Sequence, residues 1–243
     1  VTVGLTRRIP RKALSIALIS VGLLAAACGS TSVSSAKSLP SAPVLAALKA
    51  SLGKQTSVHF VVTAKQAVSS SIESVVGDFG IASGEERVTQ GKATLAVKLT
   101  PSDAYLAGSS LGLTQLVGLT TKEAAKVGAR WLLISSSSSP YSSLKDSVTV
   151  GGIAGQLPAA KSTKAISNVV NGSREDVLEW SSPATKSSPK LTSSLTIANS
   201  LPVRETSKSS AGSVTEGFSR WGEAVHVTAP PSSETIPYTA VTG

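Results

Sequence analysis

Two hydrophobic periods divide this chain. Val44, Leu45, Leu48 and Leu52 recur at helical spacing after Ser41-Ala42-Pro43, a helix-start pattern, and Gly53 ends the element. From Val58 the period becomes two. Val58, Phe60, Val62 and Ala64 share one face of a strand, and Lys92–Leu99 sets Ala93, Leu95, Val97 and Leu99 against Lys92, Thr94, Ala96 and Lys98. A half-buried antiparallel strand has this alternation. Further strands are expected at 74–81, 104–107, 130–135, 177–180, 191–198, 203–206, 214–220 and 224–228.

Between the strand blocks lies a helical insert. Leu113, Leu116 and Val117 predict one short helix. Thr120-Thr121-Lys122-Glu123 reads as a capping box opening a second helix, which Gly128 closes. Pro140–Leu144 and Ile153–Leu157 are short helical pieces, Asn171-Gly172 is a hairpin turn, and Glu85-Glu86 caps a turn. Strands in two groups joined by helices, rather than alternating with them, predict an α+β fold with an antiparallel sheet.

The N-terminus follows neither period. Arg7, Arg8, Arg11 and Lys12 precede an apolar run of about 15 residues, Ala13–Ala27, a signal-peptide pattern too short to span a bilayer. The run ends at Cys28, the chain's one cysteine, which excludes an intramolecular disulfide. Thr6-Arg7-Arg8 also looks like a twin-arginine export signal, although Pro10 and Arg11 replace its usual apolar residues. Gly29–Leu39 is polar and non-periodic. The expected organisation is therefore a signal peptide at 1–27, a tether at 28–40, a folded domain at 41–231 and a tail at 232–243.

Removing 1–27 would lower the formal net charge from +9 to +5. The remaining basic residues are scattered without interleaved aromatics, so no nucleic-acid surface is expected. A mildly basic surface suits anionic head groups. His59 stands alone in a strand, and with two histidines in the chain no metal cluster or cofactor site is expected. Gly108-Ser109-Ser110-Leu111-Gly112 matches the nucleophile elbow G-x-S-x-G. Asp146 or Asp176 with His226 would complete a triad at Ser110. That elbow belongs on a parallel sheet of βα units, which this chain lacks, so no enzyme is expected.

Ala26-Ala27-Cys28 resembles the lipobox of bacterial lipoproteins, although Ala25 stands where leucine is usual. That resemblance implies a diacylglyceryl group on Cys28, cleavage before it and acylation of the new N-terminus. Other stretches fall in a familiar order: Ser57-Val58-His59-Phe60, Val76-Gly77-Asp78-Phe79, Trp131-Leu132-Leu133-Ile134, and Ser139-Pro140-Tyr141. Leu201-Pro202-Val203-Arg204-Glu205 follows, then Phe218-Ser219-Arg220-Trp221-Gly222-Glu223 and Val225–Pro231. Together they resemble the actinobacterial envelope lipoproteins of the LppX/LprAFG type, with a fold shared with LolA-like carriers. The resemblance implies a single antiparallel sheet curled into a half-barrel, with helices over its concave face. Acyl chains of lipids or glycolipids would lie between the layers, in a monomer held to the extracytoplasmic face of the cell membrane by its lipid anchor. Phe60, Val62, Leu95, Val97, Trp131, Leu133 and Phe218 are the candidate lining. The same residues also suit an ordinary filled core, which would leave a tethered structural or interaction module.

Overall fold

The computed structural model describes residues 36–66, 72–155, 157–170, 173–185 and 189–243. Cys28, the signal-like segment and the Asn171-Gly172 turn lie outside the described residues. Thirteen strands occur among the described residues: β1 (Lys37–Leu39), β2 (Ser57–Gln66), β3 (Ile72–Gly80), β4 (Gly84–Gln90), β5 (Ala93–Leu99), β6 (Asp103–Gly108) and β7 (Trp131–Ser135). They continue with β8 (Thr163–Val170), β9 (Ser173–Ser182), β10 (Leu191–Ala198), β11 (Leu201–Ser209), β12 (Gly212–Ser219) and β13 (Thr235–Pro237). All join one open, curved sheet in the order β1-β8-β9-β10-β11-β12-β2-β3-β4-β5-β6-β7-β13. Every neighbouring pair is antiparallel except β13 with β7. The expected α+β fold with a single curved sheet is the observed one.

The helices are α1 (Ser41–Leu52), α2 (Ser110–Gly112), α3 (Thr121–Val127), α4 (Ser139–Ser147), α5 (Gly151–Ala154) and α6 (Tyr238–Thr242), with a π-helical turn, Leu113–Val117, continuing α2. The sheet's inner face carries Phe60, Phe79, Leu95, Val97, Leu99, Leu106, Leu132 and Ile134. They share one core with Leu45, Leu48 and Leu52 of α1, Leu113 of the π turn and Val127 of α3. The capping box is formed: Thr120 N–H donates to Glu123 Oε2 at 2.7 Å and Glu123 N–H donates to Thr120 Oγ1 at 3.2 Å. These bonds hold the Glu123 carboxyl below the usual carboxylate range.

Close approach explains two glycines. Gly77 lies opposite Phe60, and a methyl there would come within 2.7 Å of the Phe60 ring. That clearance lets Phe60 lean onto Phe79, with ring centroids 4.1 Å apart. Gly112 sits against the Thr94 carbonyl, so any Cβ there would overlap it.

Two expectations are corrected, and one strand is added. Gly84–Gln90, where Glu85-Glu86 suggested a capped turn, is strand β4. Its Gly-Glu-Glu-Arg start hides the alternation. Thr163–Val170 is strand β8, concealed by Lys164, Ser167 and Asn168. Ala224–Thr228 is not a strand, although its alternation is clean. It belongs to a strap leaving β12, where Gly222 N–H donates to Ser57 O at 3.1 Å and Lys98 Nζ donates to Thr228 O at 3.2 Å. The strap's backbone is held by single contacts rather than by a ladder. Beyond it, β13 lies beside β7, and α6 packs near α3 with Val241 buried.

Candidate functional site

The interior between sheet and helices is the site to which the sequence points. β2 places Val58, Phe60, Val62 and Ala64 inward because successive side chains alternate, and β5 does the same for Leu95 and Val97. Phe218 of β12 stands directly opposite Phe60. Five of the seven candidate lining residues therefore share the inner face: Phe60, Val62, Leu95, Val97 and Phe218. Trp131 and Leu133 do not join them. Leu132 and Ile134 are the inward residues of β7, so Trp131 and Leu133 lie on the opposite face, where the Lys98 ammonium is 5.5 Å from a Trp131 ring centroid.

Over β9–β12 the two layers leave a cavity of about 20 Å³. Ile153 of α5 and Leu157 lie over Trp180, Leu195 and Phe218, and Glu205 and Glu216 also line it. This volume suits about one water and no acyl chain. Glu205 and Glu216 face each other across β11 and β12, in a row that continues to Leu195 on one side and Val62 on the other. Sequence reading missed this pair because an acid in a strand is normally assigned to the solvent side. Trp180 and Leu195 were visible as strand residues, but nothing local pairs them with Ile153.

A third inward carboxyl, Glu73 of β3, is 5% exposed. Its Oε2 accepts from Gln90 Nε2 at 3.3 Å, while Oε1 is buried without a hydrogen bond. Burial pushes its pKa up to about 6 from 4.5. In the same row, reached through Ala64 and Val214, Ser193 and Ser207 bond across β10 and β11 at 2.7 Å.

The residues weighed for hydrolysis are not brought together. Ser110 is exposed at the start of α2, beyond the Thr94 end of β5. His226 is on the strap beside Ser57, Asp78 and Glu85, and Glu85 pairs with Lys98. Four residues of β5 separate the two ends, about 13 Å at 3.3 Å per residue. His59 Nδ1 lies 2.9 Å from Asp78 Oδ1, which also accepts from Arg220 at 3.2 Å. Among the described residues no three histidines, cysteines or acids are grouped to hold a metal ion. No helix among them is long and apolar enough to cross a membrane.

No protein-family model matches the chain, and no curated protein matches it. Solved structures do. The lipoprotein LppX of Mycobacterium tuberculosis is 18% identical with a TM-score of 0.44, over 76% of this chain and 98% of that one. LprF of Mycobacterium bovis is 17% identical with a TM-score of 0.44, over 78% and 96%. A DUF1329 family protein of Desulfovibrio piger is 8% identical with a TM-score of 0.28, over 78% and 95%.

Proposed function

We propose that this protein is a non-catalytic envelope lipoprotein, acylated at Cys28, that binds or transfers lipid or glycolipid acyl chains against the inner face of its sheet. The observation that carries the reading is the apolar patch Trp180, Leu195 and Phe218 on the otherwise mixed inner face of β9–β12, roofed at its centre by a four-residue helix, α5. In this reading the short roof, with glycines at 151, 152 and 155, is the element that lifts to admit a ligand. Lifting Ile153 and Leu157 would expose Trp180, Leu195 and Phe218 together. The motif order quoted above supports the same reading, as does the lipobox-like Ala26-Ala27-Cys28. The signal-like segment supports an extracytoplasmic, membrane-held location in this reading, which takes the mature chain as a monomer.

A second reading, a tethered interaction module with a filled core, is favoured by the 20 Å³ volume of the closed interior. Solvent extraction and mass spectrometry of the purified chain separate the two. Each ligand CH₂ buried contributes about 0.8 kcal/mol, so a carrier retains lipid through purification. Near-stoichiometric lipid supports the carrier. An empty protein that also fails to take up a fluorescent fatty acid leaves the filled module.

A further inference from the structure

The opposite face of the same sheet holds a second concavity. An open groove of about 960 Å³ crosses β3–β7, away from the helices and the lipid-side interior. By strand spacing it is about 19 Å long. Its floor is built of small apolar side chains, Val76, Ala96 and Ala107, with Val76 40% exposed. Trp131 stands at the β7 end, half-exposed, beside the Lys98 ammonium.

The two walls differ in chemistry. Thr94 and Thr89 begin a row of hydroxyls that the register carries through Ser74, Thr63, Thr215, Thr206 and Ser194, one per strand across seven strands. The other wall is the row Asp78–Glu85–Lys98, and Arg87 rises from the middle row. Glu86 contributes only backbone here, since its side chain shares the inner face with Val97. The two acids and two bases that remain leave the groove without net charge, so no polyanion or polycation would gather in it. Carboxylates and a guanidinium make strong hydrogen bonds to hydroxyl groups, and an indole face packs on C–H surface. A ligand matched to this surface is uncharged, elongated, hydroxyl-edged and C–H-faced.

We propose that the groove across β3–β7 is a binding site for a neutral linear oligosaccharide, stacked on Trp131 and hydrogen-bonded by Asp78, Glu85, Arg87, Thr89 and Thr94. The small floor residues let a sugar ring approach the backbone of the sheet, which larger side chains would prevent.

The test is calorimetry and tryptophan fluorescence on the full chain with maltohexaose, cellohexaose and mannohexaose, and with a heparin hexasaccharide as the charged comparator. At least one neutral hexasaccharide should bind saturably and change tryptophan emission. Trp131→Ala should weaken it roughly ten-fold, the loss of one stacked ring. Trp131→Phe should restore part of the affinity, and the exposed Arg87→Ala should weaken binding while leaving the melt unchanged. Arg174→Ala, on the far half of the sheet, should do nothing. Absence of saturable binding by all three neutral sugars overturns the proposal. So does preferential binding of heparin, or binding that survives both Trp131→Ala and Arg87→Ala.

Discussion

The inner faces of β3–β7 and of β9–β12 obey the same alternation, yet they differ in what lies on top. Over β3–β7 the roof is continuous: Leu113 and Leu119, Ala124 and Val127 of α3, Tyr141 of α4, then Val148 and Val150, all buried. Tyr141 is pinned as well, its hydroxyl donating to Thr100 O at 2.7 Å. Over β9–β12, α1 covers the β8 and β11 side, and only α5 with Leu157 and Pro158 stands over the Trp180–Phe218 floor. The floor itself is mixed, with Ser193, Ser207, Glu205 and Glu216 among Leu178, Leu195 and Ile197. One half of the sheet is sealed for stability, and the other keeps room for polar groups and a small void.

The sharpest way to break this contrast is by truncation. Phe79→Ala in the sealed half should cost nearly 5 kcal/mol, the upper end for a buried phenylalanine, because neighbours on every side hold the cavity open. Phe218→Ala should cost about 3 kcal/mol, since its surroundings already contain space and α5 can settle. Urea unfolding of both variants decides; equal losses would erase the distinction.

Glu73 is the flaw in the sealed half, and it predicts a pH effect of about 2 kcal/mol. Its pKa is near 6 when folded against 4.5 unfolded, so between these values the native state binds more protons. Stability therefore falls as pH rises from about 4.5 to 6 and stays lower above that. Glu73→Gln should be more stable than wild type at pH 7 and equal to it at pH 4, measured by denaturant unfolding at both.

The mixed half predicts a cycle. Ser193→Ala or Ser207→Ala alone should cost about 1–2 kcal/mol by stranding the partner hydroxyl, whereas the double variant should come close to wild type. Smallest is Thr120→Ala, which removes the α3 cap and should cost about 1 kcal/mol by thermal melt.

These differences explain which parts of the structure were legible in the sequence. β2 and β5 were readable because one face is apolar and the other is not, and α3 because its capping box is purely local. β4 and β8 escaped because charged and hydroxyl side chains occupy both faces at intervals. In the strap, alternation in Val225–Val227 mimicked a strand, although neighbouring backbone decides whether a ladder forms. Phe60, Val62, Leu95, Val97 and Phe218 were readable as one apolar face. Trp131 and Leu133 were not separable from them, because Trp131–Ile134 is apolar on both sides and periodicity carries no sign there. Glu205 opposite Glu216 depends on the register of β11 with β12, which no local window contains.

The pairing of β1 with β8 sets a leash. With Cys28 acylated as proposed, Lys37 lies nine residues on, and an extended chain covers at most about 3.6 Å per residue, roughly 32 Å in all. The first residues of the body are stitched into the sheet edge rather than hanging from it, so the tether ends there. Such an anchor would keep that edge, with the loosely roofed β9–β12 half behind it, within a bilayer's thickness of the membrane surface. The β3–β7 groove lies toward the other end of the strand order and on the other face of the sheet. Three residues, Lys37–Leu39, would thus set how far from its anchor the body can stray.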